Sequence, residues 1–204
     1  MQNVIRAVLF DFGGVMAEEG FHEGLLAIAR RNGLEPEKFF MDVDAIIFET
    51  GYLTGRADEA AFWNAVRKKT RVTGIDAELR DDILKRFVLR PDMIAAADRL
   101  RARGLIVAML SDQTNWLAEM DRQTALSAHF DRVFNSFTIH KSKREASVFG
   151  DVCGALGVRR EETLFVDDNG NHIRRAQGEG LCTIHFKTVD DFNERLRDYI
   201  PEIS

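Results

Sequence analysis

With 204 residues, the chain suits one full domain with room for a small insert, and it is long enough to bury a sizeable core. Hydrophobic residues make up 45% and charged ones 30%, and a net charge of -5 argues against nucleic acid or an anionic membrane as the main partner. No apolar run approaches the roughly 20 residues needed to span a bilayer. The only cysteines, Cys153 and Cys182, are too far apart to suggest a disulfide framework or a metal knuckle.

The start, Met1-Gln2-Asn3-Val4-Ile5-Arg6, does not read as a signal peptide, because the apolar run behind it is short and ends in Asp11. A reducing cytoplasm is the expected location. The first predicted strand is Val8-Leu9-Phe10, closed by Asp11. The stretch from 16 to 87 then shows helical patches (Leu25, Ile28, Ala29; Phe62, Trp63, Val66; Ile83, Leu84, Phe87) and no clear strand. Pro91 opens a helix with Ile94, Ala97 and Leu100 on one face, and Gly104 stops it. Strands follow at Leu105 to Leu110, ending in Ser111, and at Arg132 to Asn135. Phe149, Cys153 and Leu156 form a helical stripe closed by Gly157. A strand at Leu164-Phe165-Val166 ends in Asp167 and Asp168, and another runs from Thr183 to Phe186. Val189, Phe192, Leu196 and Tyr199 form the last helical stripe.

Continuous apolar runs imply strands covered on both faces. Their alternation with helices predicts an α/β fold, a doubly wound, Rossmann-like parallel sheet. Residues 1-15 and 88-204 read as this core, and 16-87 as a small helical cap inserted after the first strand. In such sheets ligands bind beyond the carboxyl ends of the strands. Asp11, Ser111, Asp167 and Asp168 gather there. Carboxylates brought together repel one another and call for a cation; oxygen ligands suit Mg2+.

Four segments carry a family resemblance: Phe10-Asp11-Phe12-Gly13-Gly14-Val15, Leu110-Ser111-Asp112, Lys143, and Phe165-Val166-Asp167-Asp168-Asn169. In their order, each at a predicted strand end or in a loop, they resemble the motifs of the haloacid dehalogenase-like hydrolase superfamily. The branch they are most similar to contains sugar-1-phosphate phosphatases and the phosphatase-like domain of epoxide hydrolases. The resemblance implies a Mg2+-dependent phosphatase acting on a small phosphorylated metabolite. Asp11 would be nucleophile and metal ligand, passing through an aspartyl phosphate. The carbonyl of Gly13, Asp168 and Asp167 (directly or through water) would complete the metal site. Ser111, amides near Asp112, and Lys143 would hold the phosphoryl group.

Departures from the pattern sit at three positions. Gly13 stands where the usual phosphatase has a second Asp as general acid. Either the leaving group is a good one, or Glu18, Glu19 or His22 replaces the acid, or catalysis is lost and binding kept. The first two together are favoured, because the nucleophile and metal positions are intact. Asp112 replaces a common Asn and is expected to bond backbone amides rather than phosphate. Arg144 replaces a common Pro; with His140 and Lys141 it reads as a solvated turn. Trp63 and Phe62 fit the insert's own core, and Trp116 fits either the site or the sheet cover. Both cysteines read as buried, His185 as an edge residue, and His172 as a capping or exposed residue. The rival readings are a metal-free 2-haloacid dehalogenase and a non-catalytic phosphate-binding protein on the same scaffold.

Overall fold

The computed structural model describes residues 4–201; Met1, Gln2 and Asn3 of the N-terminal stretch read above lie outside them. In chain order, strand β1 (Ala7–Phe10) leads to four helices: α1 (Gly20–Arg31), α2 (Pro36–Glu49), α3 (Glu59–Thr70) and α4 (Asp76–Leu84). Helix α5 (Pro91–Ala102) precedes β2 (Ile106–Ser111), α6 (Trp116–Thr124), β3 (Arg132–Asn135), a single-turn α7 (Ser136–Ile139) and α8 (Ser147–Leu156). Then come β4 (Thr163–Asp167), α9 (Gly170–Gly178), β5 (Cys182–His185) and α10 (Val189–Tyr199). All five strands are parallel, in the order β3-β2-β1-β4-β5. The predicted doubly wound sheet is therefore present, with no strand bound shifted by more than one residue.

Alternation along each strand serves two cores. Val8, Phe10, Val107, Met109, Leu164 and Val166 enter one apolar cluster, whereas Ala7, Leu9, Ala108, Leu110 and Phe165 enter the other. Apolar residues of α1 to α4 belong to the first cluster, so the helical segment and that face of the sheet share one continuous core. Phe62 and Trp63 do not pack only within the segment. They meet Trp116, with ring centroids 6.2 and 6.1 Å apart.

Helix α2 escaped the sequence reading, although its signals are ordinary ones. Pro36 stands in its first turn, and the Glu35 carboxylate accepts from the amides of Glu37 and Lys38. Cys153 is buried, but Cys182 is only partly so, because it opens the edge strand β5. Among the described residues no helix is long and apolar enough to cross a membrane.

Candidate active site

Parallel pairing sets the site. Phe10 pairs with Val166, so the residues that follow, Asp11 and Asp167, emerge side by side; the Asp11 amide donates to Val166 O at 2.9 Å. Lys143, from the loop between α7 and α8, reaches between them. Its ammonium lies 2.7 Å from Asp11 Oδ2 and 2.7 Å from Asp167 Oδ2. The Lys143 side chain is 1% exposed, so a lone ammonium would be forced toward neutrality there. Burial does pull its pKa down, but Asp11 and Asp167 outweigh burial and hold it charged, above the usual lysine value.

The two carboxylates respond differently. Burial, with Asp167 and Asp168 nearby, pushes Asp11 well above the usual carboxylate range despite Lys143. Burial also opposes the Asp167 charge, yet Lys143 and His172 overcome it and hold Asp167 below that range. Asp167 is saturated with donors: His172 Nδ1 donates to Oδ2 at 3.1 Å, and the Asn169 amide donates to Oδ1 at 2.7 Å. The expectation that His172 merely caps or faces solvent is thus corrected. The first turn of α9 swings it back onto the end of β4, and it lines the cavity.

Asp168 faces the cavity. Its carboxylate occupies the space that a side chain at Gly14 would need, and Gly14 has φ +78°, so glycine is required there on both counts. Partial burial and Asp167 raise the Asp168 pKa. Asp11, Asp167 and His172 bring one ligand atom each to within 4.8 Å of one another, but the ammonium of Lys143 already serves both of those carboxylates. Three carboxylates, Asp11, Asp167 and Asp168, against one ammonium leave an excess of negative charge. That excess, offered by hard oxygen donors, fits a divalent cation such as Mg2+.

At the end of β2, Ser111 is 1% exposed, and its Oγ has no partner among the described residues. Asp112 Oδ1 accepts from Ser136 Oγ at 2.6 Å and from the Lys143 amide at 2.9 Å. Its side chain therefore anchors the lysine loop, as expected of an acid that binds backbone. The Asp112 N–H has no acceptor among the described residues.

Gly13 leaves a gap that Glu19 fills. An added Cβ at Gly13 would stand 2.9 Å from Glu19 Oε2. Glu19 is held there because its other oxygen, Oε1, caps α1, accepting from the amides of Phe21 and His22 at 3.1 and 3.2 Å. Burial, with Asp168 nearby, raises its pKa despite those two hydrogen bonds. Of the three acid candidates, Glu19 and His22 line the cavity, whereas the Glu18 carboxylate pairs with Arg90 at 2.9 Å.

Asp11, Gly13, Glu19, Ser111, Lys143 and Asp168 line one cavity of about 540 Å³. The helical segment supplies its far wall. Phe40, Asp44 and Phe48 recur at four-residue spacing on one face of α2, beside Phe21 and His22 of α1. Trp116 also lines it and packs against Tyr52. The basic turn is not simply solvated. His140 Nδ1 meets Thr54 O at 2.8 Å, Lys141 pairs with Asp151, and Arg144 reaches Asp44 at 3.0 Å. Arg144 also lies over the Phe48 ring, 3.3 Å from its centroid. His185 lies on the edge strand as read, and its Nε2 meets Asp168 O at 2.8 Å. Gln113 and Arg175, which the sequence reading passed over, line the cavity as well. Arg175 stands three residues after His172 on α9, a helical spacing that links them; nothing comparable marks Gln113.

A sequence model of the haloacid dehalogenase-like hydrolases matches residues 5–178. The chain is 29% identical over 120 residues to bifunctional epoxide hydrolase 2 of Rattus norvegicus, a match covering 55% of this chain and 21% of that protein. It is 33% identical over 97 residues to the GMP/IMP nucleotidase YrfG of Escherichia coli (strain K12), covering 47% of this chain and 44% of that one. The chain thus spans a minor part of these curated relatives. Among solved structures, the HAD-family enzyme BT-2542 of Bacteroides thetaiotaomicron superposes with a TM-score of 0.78 at 22% identity, covering 96% of this chain and 100% of that one. A structure of the same enzyme with magnesium and inorganic phosphate gives a TM-score of 0.72 at 22% identity, over 90% and 94% of the two chains.

Proposed function

We propose that this chain, which belongs to the haloacid dehalogenase-like hydrolases, is a Mg2+-dependent phosphatase acting on a small phosphorylated metabolite. The observation that carries this reading is the Lys143 ammonium held between Asp11 and Asp167 at adjacent strand ends. It supplies a fixed positive charge where phosphoryl transfer develops negative charge, which is most of what that chemistry asks of a protein. The nucleotidase among the relatives and the phosphate complex of a structural neighbour support the same class of substrate.

In this reading an Asp11 carboxylate oxygen attacks phosphorus, the ester P–O bond breaks, and an aspartyl phosphate forms. Ser111 Oγ and the Asp112 N–H donate to phosphoryl oxygens. Asp11, the Gly13 carbonyl and Asp168 would hold Mg2+, with Asp167 behind them on Lys143 and His172. Bound Mg2+ would neutralise charge on the phosphoryl group. Glu19, standing over Gly13, gives its proton to the leaving oxygen and then takes one from the water that opens the acyl phosphate. Residues 16-87 act as the cap that walls the cavity. The acidic cluster favours this over a metal-free dehalogenase.

The test is hydrolysis of p-nitrophenyl phosphate with Mg2+, comparing the wild type with Asp11→Asn. Release of phosphate by the wild type alone is expected. Equal rates in the two proteins would remove Asp11 as nucleophile. Binding of beryllofluoride without turnover of any ester would favour the non-catalytic reading.

A further inference from the structure

The helical segment is fastened to the rest of the fold unevenly. On one side three contacts tie it down. The Tyr52 hydroxyl donates to Asn115 Oδ1 at 2.6 Å, His140 Nδ1 meets Thr54 O at 2.8 Å, and Arg80 stands between Glu59 of α3 and Glu119 of α6 at 3.1 and 3.4 Å. Tyr52, Phe62 and Trp63 pack there against Trp116, and none of these four is more than 1% exposed. Rotating the segment away as one body would bare these rings to water and part the Tyr52 hydroxyl from Asn115. On the other side stands a single clasp. Among the described residues, the Arg144–Asp44 pair at 3.0 Å is the one hydrogen bond or ion pair that joins α1 or α2 to residues 88-204.

The clasp lies where the cavity meets solvent. Arg144, Asp44 and Phe48 all line the cavity, yet the side chains of Arg144 and Asp44 are 47% and 39% exposed. The guanidinium spans from the loop of Lys143 to α2, lying over the Phe48 ring as well as pairing with Asp44. An exposed ion pair and an exposed cation–π contact are each weak, so together they leave an open state populated on the order of one time in ten. An exposed side chain also changes rotamer readily. The segment is thus held as a wall, and Arg144 is the part of the rim that is free to move.

We propose that Arg144 is a side-chain gate that selects the leaving group by size. Clasped to Asp44 and Phe48, it closes the cavity against bulky phosphomonoesters and leaves room for small ones. Bulky esters enter only when it swings away, while the segment itself stays fixed on the core. This rests on the phosphatase reading above and adds a specificity-determining residue to it.

The experiment measures kcat/KM with Mg2+ for phenyl phosphate and for the much larger 3-O-methylfluorescein phosphate. It follows the ratio of large to small ester, in which any change common to both cancels. In the wild type the ratio should rise with NaCl, which screens the ion pair. Arg144→Ala should raise it by about ten-fold at low salt and abolish its salt dependence. Asp44→Asn should raise it too, and the double variant should rise no further than Arg144→Ala, because both changes release one clasp. Tyr52→Phe, which cuts a fastening on the fixed side, should leave the ratio at the wild-type value. An unchanged ratio in Arg144→Ala, additive effects in the double variant, or a rise in Tyr52→Phe equal to that in Arg144→Ala would each overturn the inference while leaving the phosphatase reading intact. A wild type that turns over neither ester overturns both.

Discussion

Glu19 Oε2 stands 2.9 Å from where a side chain at Gly13 would begin, so the position lacking a carboxylate is covered by a carboxylate from six residues on. The N-cap bonds of Oε1 fix this arrangement, and they leave Oε2 for the cavity.

If Glu19 protonates the leaving group, its removal will matter in proportion to how badly the leaving group needs a proton. Glu19→Gln keeps the shape and an oxygen for capping α1. Its turnover of an alkyl phosphate is expected to fall by about 10²–10⁴-fold, and that of p-nitrophenyl phosphate by much less. The measurement is a plot of log kcat/KM against leaving-group pKa, which should steepen in the variant. Parallel lines for the two proteins would show that Glu19 does not serve the leaving oxygen.

Lys143 offers a stability test independent of substrate. Its ammonium pairs with two carboxylates, one of them fully buried. Lys143→Met fills similar volume but strands those charges, which should cost about 3–5 kcal/mol of unfolding free energy at neutral pH in the absence of metal. Urea denaturation measures this directly. A midpoint equal to that of the wild type would mean that the lysine carries no share of the cluster's charge balance.

Asp82 offers a pH test away from the site. It joins α4 to α1 through Arg31 and also pairs with Lys85. Burial opposes its charge, but the hydrogen bond and charge of Lys85 and the charge of Arg31 win, holding the carboxyl below its usual range. A depressed carboxylate stabilises the fold above its unfolded pKa of about 3.9 and loses that effect as pH falls through the folded value. Asp82→Asn should therefore unfold more readily than the wild type at pH near neutral. The gap should close on acidification below about pH 4. A gap independent of pH in thermal melts would rule out this linkage.

The strand ends were legible because buried parallel strands write themselves as short apolar runs, and a polar residue closing such a run marks the sheet edge where ligands bind. Asp11, Ser111 and Asp167 were found in this way. Lys143 was placed at the site by the family pattern alone, since a lone lysine in a polar loop has no local signal of burial, and its second contact, to Asp167, was not foreseen. His172, Gln113 and the Arg144–Asp44 pair were missed or read as solvent-facing for one physical reason. His172 and Arg144 find their partners across a strand end or across the cavity, Gln113 merely lines that cavity, and polar residues at such places carry no periodicity. Glu19 stood among three acids of equal standing until the empty side of Gly13 and the cap of α1 separated it from Glu18 and His22.

Gly14 links the metal reading to the backbone. It has φ +78°, and a Cβ there would collide with the Asp168 carboxylate. Gly33 has φ +67° and nothing within 4 Å of its Cβ position. Both Gly→Ala changes impose the left-handed strain of about 1 kcal/mol or somewhat more, but only Gly14→Ala also displaces Asp168. Mg2+ bound to the folded wild type should raise the thermal midpoint, equivalent to about 2.7 kcal/mol at a hundred times Kd. Gly33→Ala should melt earlier and keep the full Mg2+ increment. Gly14→Ala should melt earlier still and lose most of it, as Asp168→Asn should. An undiminished Mg2+ increment in Gly14→Ala would separate Asp168 from the cation and return the metal assignment to the other carboxylates.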